Sequence, residues 1–270
     1  MSSLLEQVLY PCVRIMCEKA GGSGTILYSK AGESGEYETY ALTCHHVIEE
    51  AIQIKEEWDA LLGRSAKKEF RSTVRVEFFK YRNGCRAART ESVDADIVAW
   101  NKQNDLAIVK LRMDDQPPFV ANFYPKARTK EIQLFDRVHA VGCALLHAPI
   151  VTSGTITSMS DEIDNLSYWM SNAQIIFGNS GGAVFHENER GFEFVGVPSR
   201  VAVYGWSNAV THLGYFSDIE RIYRWLDEEF FQFLYDAEYT PKRCEALREE
   251  KRSRELETYK GRAAEPPAVV

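Results

Sequence analysis

The segment Gly178-Asn179-Ser180-Gly181-Gly182 sets a hydroxyl among glycines. Glycine lets a backbone approach another molecule closely. It also lets successive N–H groups converge on one point, as an oxyanion requires. A serine hydroxyl becomes a nucleophile when a base takes its proton, and histidine suits that role near neutral pH. The chain has six candidates, His45, His46, His139, His147, His186 and His212, and two of them stand together in Leu42-Thr43-Cys44-His45-His46-Val47. A carboxylate must then hold the imidazole in one tautomer. Asp105 heads the apolar run 104–111, with Asp94 and Asp96 as nearby competitors. Singly, each segment has an ordinary structural meaning: a glycine-rich turn, a structural histidine, a turn aspartate.

The elements that must position these groups are mostly strands. Val74, Val76 and Phe78 alternate with Arg75 and Glu77, the period of a half-buried strand, and Asn83-Gly84 then supplies a hairpin turn. Further strand-like runs lie at 24–28, 37–43, 96–100, 106–111, 132–142, 151–158, 166–177, 182–185 and 192–204. Many short strands without regular alternation with helices favour a sandwich or barrels over a parallel sheet. Two helices are expected. Ile48, Ala51, Ile52, Trp58, Leu61 and Leu62 predict one over 47–62. Ile219, Ile222, Tyr223, Leu226, Phe230, Phe233 and Leu234 form one apolar face of a second, with Ser217 and Glu220 as its capping box.

Taken together, the three chemical segments resemble a known family. His46, Asp105 and Ser180 follow one another 59 and 75 residues apart. That order is used by chymotrypsin-type peptidases, not by subtilisins or α/β-hydrolases. LTCHHVI, NDLAIVKL and GNSGG are similar to the catalytic motifs of trypsin-like serine peptidases, nearest in form to the HtrA/Deg type. The stretches 21–29, 140–158 and 212–222 resemble other parts of that domain.

The resemblance implies an all-β, chymotrypsin-like fold of two perpendicular antiparallel β-barrels with a C-terminal α-helix. The first barrel would span 10–125 and carry the histidine and aspartate. The second, with the serine and the terminal helix, would span 126–236, and 237–270 would be a charged helical or disordered tail. The resemblance makes His46 the base, Asp105 its orienting group and Ser180 the nucleophile. The amides of Gly178 and Ser180 become the oxyanion hole. It puts the specificity pocket at Gln174, Ser199, Arg200, Val201 and Gly214, with no acidic floor, so small or medium uncharged P1 side chains are expected. A substrate strand would pair near 197–201. The implied activity is a serine endopeptidase acting on polypeptides through an acyl-enzyme, with no cofactor and no metal. The alternative is a catalytically silent domain of the same fold that binds peptides.

Departures from the family pattern are also visible. Phe177 and Ala183 stand where many relatives have proline, and Val47 replaces the cysteine of secreted trypsins. Asn179 occupies the position where cleavage-activated trypsins keep an aspartate, so the chain is expected to need no N-terminal cleavage. The stretch after the terminal helix is too short for a PDZ module.

Composition excludes other classes. A net charge of −7 gives no general attraction to nucleic acid or anionic lipid. No apolar run reaches the roughly 18 residues of a membrane span. The N-terminus lacks the basic start and cleavage site of a secretory leader, so a cytoplasmic location and reduced cysteines are expected. His45 and His46 are adjacent, with no HExxH and no Asp/Glu cluster to complete a site, which disfavours a metal hydrolase.

Overall fold

The computed structural model of the chain describes residues 4–32, 35–59, 64–84, 86–205 and 208–264. Eight strands precede residue 112: β1 (Cys12–Met16), β2 (Gly21–Ala31), β3 (Tyr37–Thr43), β4 (Ile52–Asp59), β5 (Arg64–Arg71), β6 (Val74–Arg82), β7 (Arg86–Asn101) and β8 (Leu106–Leu111). Six of them close into a barrel in the order β1-β2-β3-β8-β7-β6. Its interior is aliphatic, with Ile15, Ile26, Leu42 and Leu106 fully buried. Closure leaves no free sheet edge. Asn83 and Gly84 both take positive φ at the β6–β7 turn, as the Asn-Gly pair predicts.

A second barrel is built from β9 (Arg137–Gly142), β10 (Ile150–Ile163), β11 (Leu166–Ser171), β12 (Ala183–Asn188), β13 (Gly191–Tyr204) and β14 (Asn208–Asp218). Its order is β10-β11-β14-β13-β12-β9. The interior here is aromatic. Tyr168, Phe185, Phe194 and Phe216 are buried, and the Phe185 and Phe194 rings meet edge to face at 6.2 Å. Both barrels belong to one compact unit that ends at Ile222. Strands β1 and β14 carry too short or too mixed a pattern for the periodicity alone to have marked them.

The helix expected over 47–62 is not formed. Helix α1 spans only His45–Ile48, a 3₁₀ turn follows over Glu49–Ala51, and the chain then enters the two-stranded sheet β4–β5. Apolar spacings of three and four residues fitted a helix. The same residues also alternate, with Ile52, Ile54 and Trp58 on one face opposite Arg71, Glu69 and Ser65. Pairing with 64–71 decides the outcome, and Lys68 and Glu57 add an ion pair across the ladder. Ile54 and Trp58 remain exposed.

The terminal helix is shorter than its apolar pattern. Helix α2 covers Ile219–Glu228. Asp218, not Ser217, caps it by accepting the Arg221 N–H at 3.0 Å, while the Ser217 hydroxyl is buried without a partner. Phe230 ends the helix in the left-handed region (φ 56°). The Phe231 N–H then reaches Leu226 O and the Phe230 N–H reaches Asp227 O, a Schellman closure.

The second compact unit begins at Tyr223. It includes a 3₁₀ turn at Gln232–Leu234 and helix α3 (Pro241–Ala264). The beginning of α3 is anchored within that unit and is not a free tail. Cys244 is fully buried, and Arg248 donates to Phe230 O and lies 4.3 Å over the Phe231 ring. Truncation after Thr240 removes these contacts and is expected to lower Tm by several degrees, on the scale of about 2–4 °C per kcal/mol.

Candidate active site

The register of β3 with β8 pairs Thr43 with Ala107, so the chain leaving β3 passes beside Asp105. Asp105 sits at positive φ (53°) in a turn where the Asn104 N–H bonds to Asn101 Oδ1 at 2.7 Å. Its carboxylate accepts the His46 backbone N–H at 3.0 Å and faces His46 Nδ1 at 2.8 and 3.0 Å. An ionised carboxylate only accepts hydrogen bonds, so in the neutral ring Nδ1 carries the proton and Nε2 the lone pair. The His46 side chain is 44% exposed and that of Asp105 14%. The imidazole therefore has an accessible side, and the carboxylate is largely shielded.

The neighbouring candidates are committed elsewhere. His45 is buried with its ring 5.0 Å from Trp100, and burial lowers its pKa and keeps it neutral. Asp96 forms a two-pronged pair with Arg112, which holds its carboxyl below the usual range. Asp94 presents its backbone carbonyl to the Arg112 N–H.

Ser180 lies in the loop between β11 and β12. Asn179 is buried and locks that loop twice, donating its N–H to Ile176 O and accepting the Ile176 N–H on Oδ1, both at 3.0 Å. The turn requires positive φ at Gly178 (93°). At Gly181 (φ 84°) a Cβ would stand 2.2 Å from Ser23 O. The N–H groups of Gly178 and Ser180 donate to nothing among the described residues. Two unengaged amides flanking Asn179 are what an oxyanion hole needs. Among the described residues no hydrogen bond joins Ser180 Oγ to His46.

Ser23, on β2, was not singled out by the sequence, although it lies in a Gly-Gly-Ser-Gly run. Its N–H bonds to Ser180 O at 2.8 Å and its hydroxyl to Gly178 O at 2.6 Å. Thr43, three residues before His46, donates to Ser23 O at 2.7 Å. The serine loop and the histidine strand thus share one anchor.

The pocket residues named from the sequence divide into two groups. Val201 pairs with Gly214 across β13–β14, and Ile175 packs onto Gly214, where an added Cβ would lie 2.5 Å from Ile175 Cδ1. Ser199 is buried beside them with its hydroxyl unpartnered. Gln174 is exposed and only its carbonyl is used, by Thr152. Arg200 points its charge to Asp164 at 2.7 Å and lies over Tyr168, so that cation is already paired. From Pro198 onward β13 pairs only with β14, so its other edge has no strand partner among the described residues.

Cys44 Sγ, a His46 ring nitrogen and an Asp105 oxygen lie within 4.8 Å of one another. Of these, His46 and Asp105 are joined by hydrogen bonds. The Nδ1–carboxylate separation of 2.8 Å is shorter than the roughly 3.4 Å kept by two ligands on a tetrahedral zinc ion. Burial, reinforced by Asp105, pushes the Cys44 thiol up, and it donates to Pro198 O.

Comparison with known proteins agrees with this architecture. A solved HtrA-type protease, AlgW with a tripeptide, superposes with a TM-score of 0.57 at 16% identity, covering 84% of this chain. The match spans 62% of that protein's length. No curated protein matches. Residues 22–197, more than half of the sequence, match the trypsin-like peptidase domain. The chain belongs to the trypsin-like peptidase family, on a chymotrypsin-like fold.

Proposed function

We propose that the protein is a serine endopeptidase in which Ser180, His46 and Asp105 act as nucleophile, base and orienting acid. The observation that carries this reading is the His46 Nδ1–Asp105 hydrogen bond, which leaves Nε2 as the proton acceptor on an exposed imidazole. Ser180 Oγ attacks the peptide carbonyl as its proton passes to His46 Nε2. The oxyanion takes the two N–H groups of Gly178 and Ser180, each worth about 3 kcal/mol in such holes. His46 then protonates the leaving amine, and water repeats the sequence on the acyl-enzyme.

Substrate is read as an added strand along the open edge of β13 around 197–201, since main-chain pairing supplies affinity without regard to side chain. Ile175 against Gly214 would make the P1 site shallow and apolar, and among the pocket residues Arg200 has its charge paired with Asp164. Small or medium uncharged P1 residues follow.

One observation favours a second reading. Among the described residues no hydrogen bond joins Ser180 to His46, as would suit a silent peptide-binding domain of this fold. Catalytic hydrogen bonds also tighten when substrate arrives, so turnover separates the two readings.

Ser180→Ala and His46→Ala should each lower kcat by at least about 10³ with Tm unchanged, because members of such a set act as a unit. Asp105→Asn should lower kcat by about 10³–10⁴ by favouring the wrong tautomer. His45→Gln should retain most of the rate. Equal, small losses across all four variants would contradict the assignment. In a peptide-library profile, Ile175→Gly should extend P1 acceptance to larger apolar side chains. A profile dominated by P1 Lys or Arg would reject the pocket. Finally, Asn179 needs no terminal amine, and Gln7 Oε1 is bonded to the Phe192 N–H at 2.9 Å. Removal of residues 1–11 should therefore reduce activity; activation on removal would refute this.

A further inference from the structure

Arg221 is a buried cation in α2, 6% exposed, and no carboxylate forms an ion pair with its side chain among the described residues. A charge withdrawn from water needs strong compensation. Arg221 finds part of it in the charge of the buried Asp218 carboxylate and part in neutral acceptors from both barrels, while its Nε has no partner among the described residues. Nη1 donates to Ser167 O at 2.9 Å, and Nη2 donates to Asn104 O at 2.8 Å and to the Tyr168 hydroxyl at 3.2 Å. The guanidinium also lies 4.5 Å over the Tyr168 ring. Ser167 and Tyr168 belong to β11 of the second barrel. Asn104 belongs to the first barrel and immediately precedes Asp105.

That last contact bears on the reaction. The Asn104 carbonyl and the Asp105 N–H lie in one rigid peptide plane. The Asp105 N–H makes only a long bond of 3.3 Å to Lys102 O, whereas Arg221 holds the carbonyl at 2.8 Å. Asp105 also takes a positive φ of 53°, a left-handed turn conformation that aspartate adopts more readily than most non-glycine residues. The Cys44 thiol, beside Asp105, feels the charges of both Asp105 and Arg221, in opposite directions.

We propose that Arg221 is a positioning residue. By clamping the Asn104–Asp105 peptide from the second barrel, it holds the Asp105 carboxylate in the orientation that receives His46 on both oxygens. The proposal rests on the serine-peptidase reading for its kinetic consequence, not for its geometry. It also makes the mutual setting of the two barrels a condition for a correctly aimed His46.

The test uses the full chain with Arg221→Met, which keeps the apolar stem and removes the fork. Two readouts are taken. The first is steady-state cleavage of a peptide substrate. The expected result is a fall in kcat of about 10–100-fold, the range for a misplaced catalytic group, with KM changed by less than about a factor of two and Asp105→Asn additive to little of it. Methylguanidinium at millimolar concentration should restore part of kcat in Arg221→Ala and none in Asp105→Asn. The second readout is the low-field proton resonance of His46 Nδ1–H, which should weaken or shift in Arg221→Met. A folded Arg221→Met protein with wild-type kcat and an unaltered resonance would overturn the proposal. If Arg221→Met does not fold, Arg221→Lys replaces it. Lysine keeps the charge and donors but not the planar fork that fits both carbonyls, so a smaller loss of kcat is expected, and wild-type values in both readouts would again overturn the proposal. If the wild-type chain cleaves no substrate, the peptidase reading fails, and the resonance alone still decides the role of Arg221.

Discussion

The whole site depends on the saturation of one buried residue, Ser23. Its N–H, its carbonyl and its hydroxyl are all engaged, with Ser180 O, Thr43 Oγ1, Gly178 O and the Cys143 N–H. Three of these partners come from the second barrel and one from the strand that leads into His46. A buried polar group left without its partner costs about 1–3 kcal/mol. Any movement of the serine loop relative to β2 would break several such bonds together. The loop is therefore held by hydrogen bonds that exist only when both barrels have closed.

The same constraint explains the glycines of the loop. Gly178 and Gly181 take backbone angles that other residues avoid, and a side chain at either would collide with carbonyl oxygens of Cys143 or Ser23. Among the described residues the N–H groups of Gly178 and Ser180 donate to no acceptor. On the other side of the site, burial keeps His45 and the Cys44 thiol uncharged beside Asp105. The carboxylate thus faces a single ionisable ring, that of His46. Trp100, which stacks on His45, also donates to Glu69 at the base of the exposed β4–β5 hairpin, so that sheet is joined to the back of the histidine segment.

Parts of this arrangement were readable in the sequence because chemistry restricts residue type locally. His46, Asp105 and Ser180 each sit in a short run whose neighbours serve the same turn. Strands such as 37–43 and 106–111 declare themselves by continuous apolar residues, and they occur where expected. The hairpin at 52–71 was misread because its apolar residues satisfy both the helical and the strand period, and only the partner strand chooses between them. The end of α2 was misread because a left-handed phenylalanine, not glycine, closes it. Ser23 and Arg221 escaped for a different reason. Their partners lie 155 and 117 residues away in sequence, and no local pattern marks a side chain whose acceptors are backbone carbonyls of another barrel.

The central claim is that Ser180 is a nucleophile activated by His46 and Asp105. Covalent labelling by a fluorophosphonate, followed by mass spectrometry of the modified peptide, tests it most directly, since the reagent reports an activated serine without any knowledge of the substrate. The account predicts one adduct, on Ser180, absent in His46→Ala and formed far more slowly in Asp105→Asn. A wild-type chain that stays unlabelled while binding peptides, or an adduct on a different serine, would contradict it.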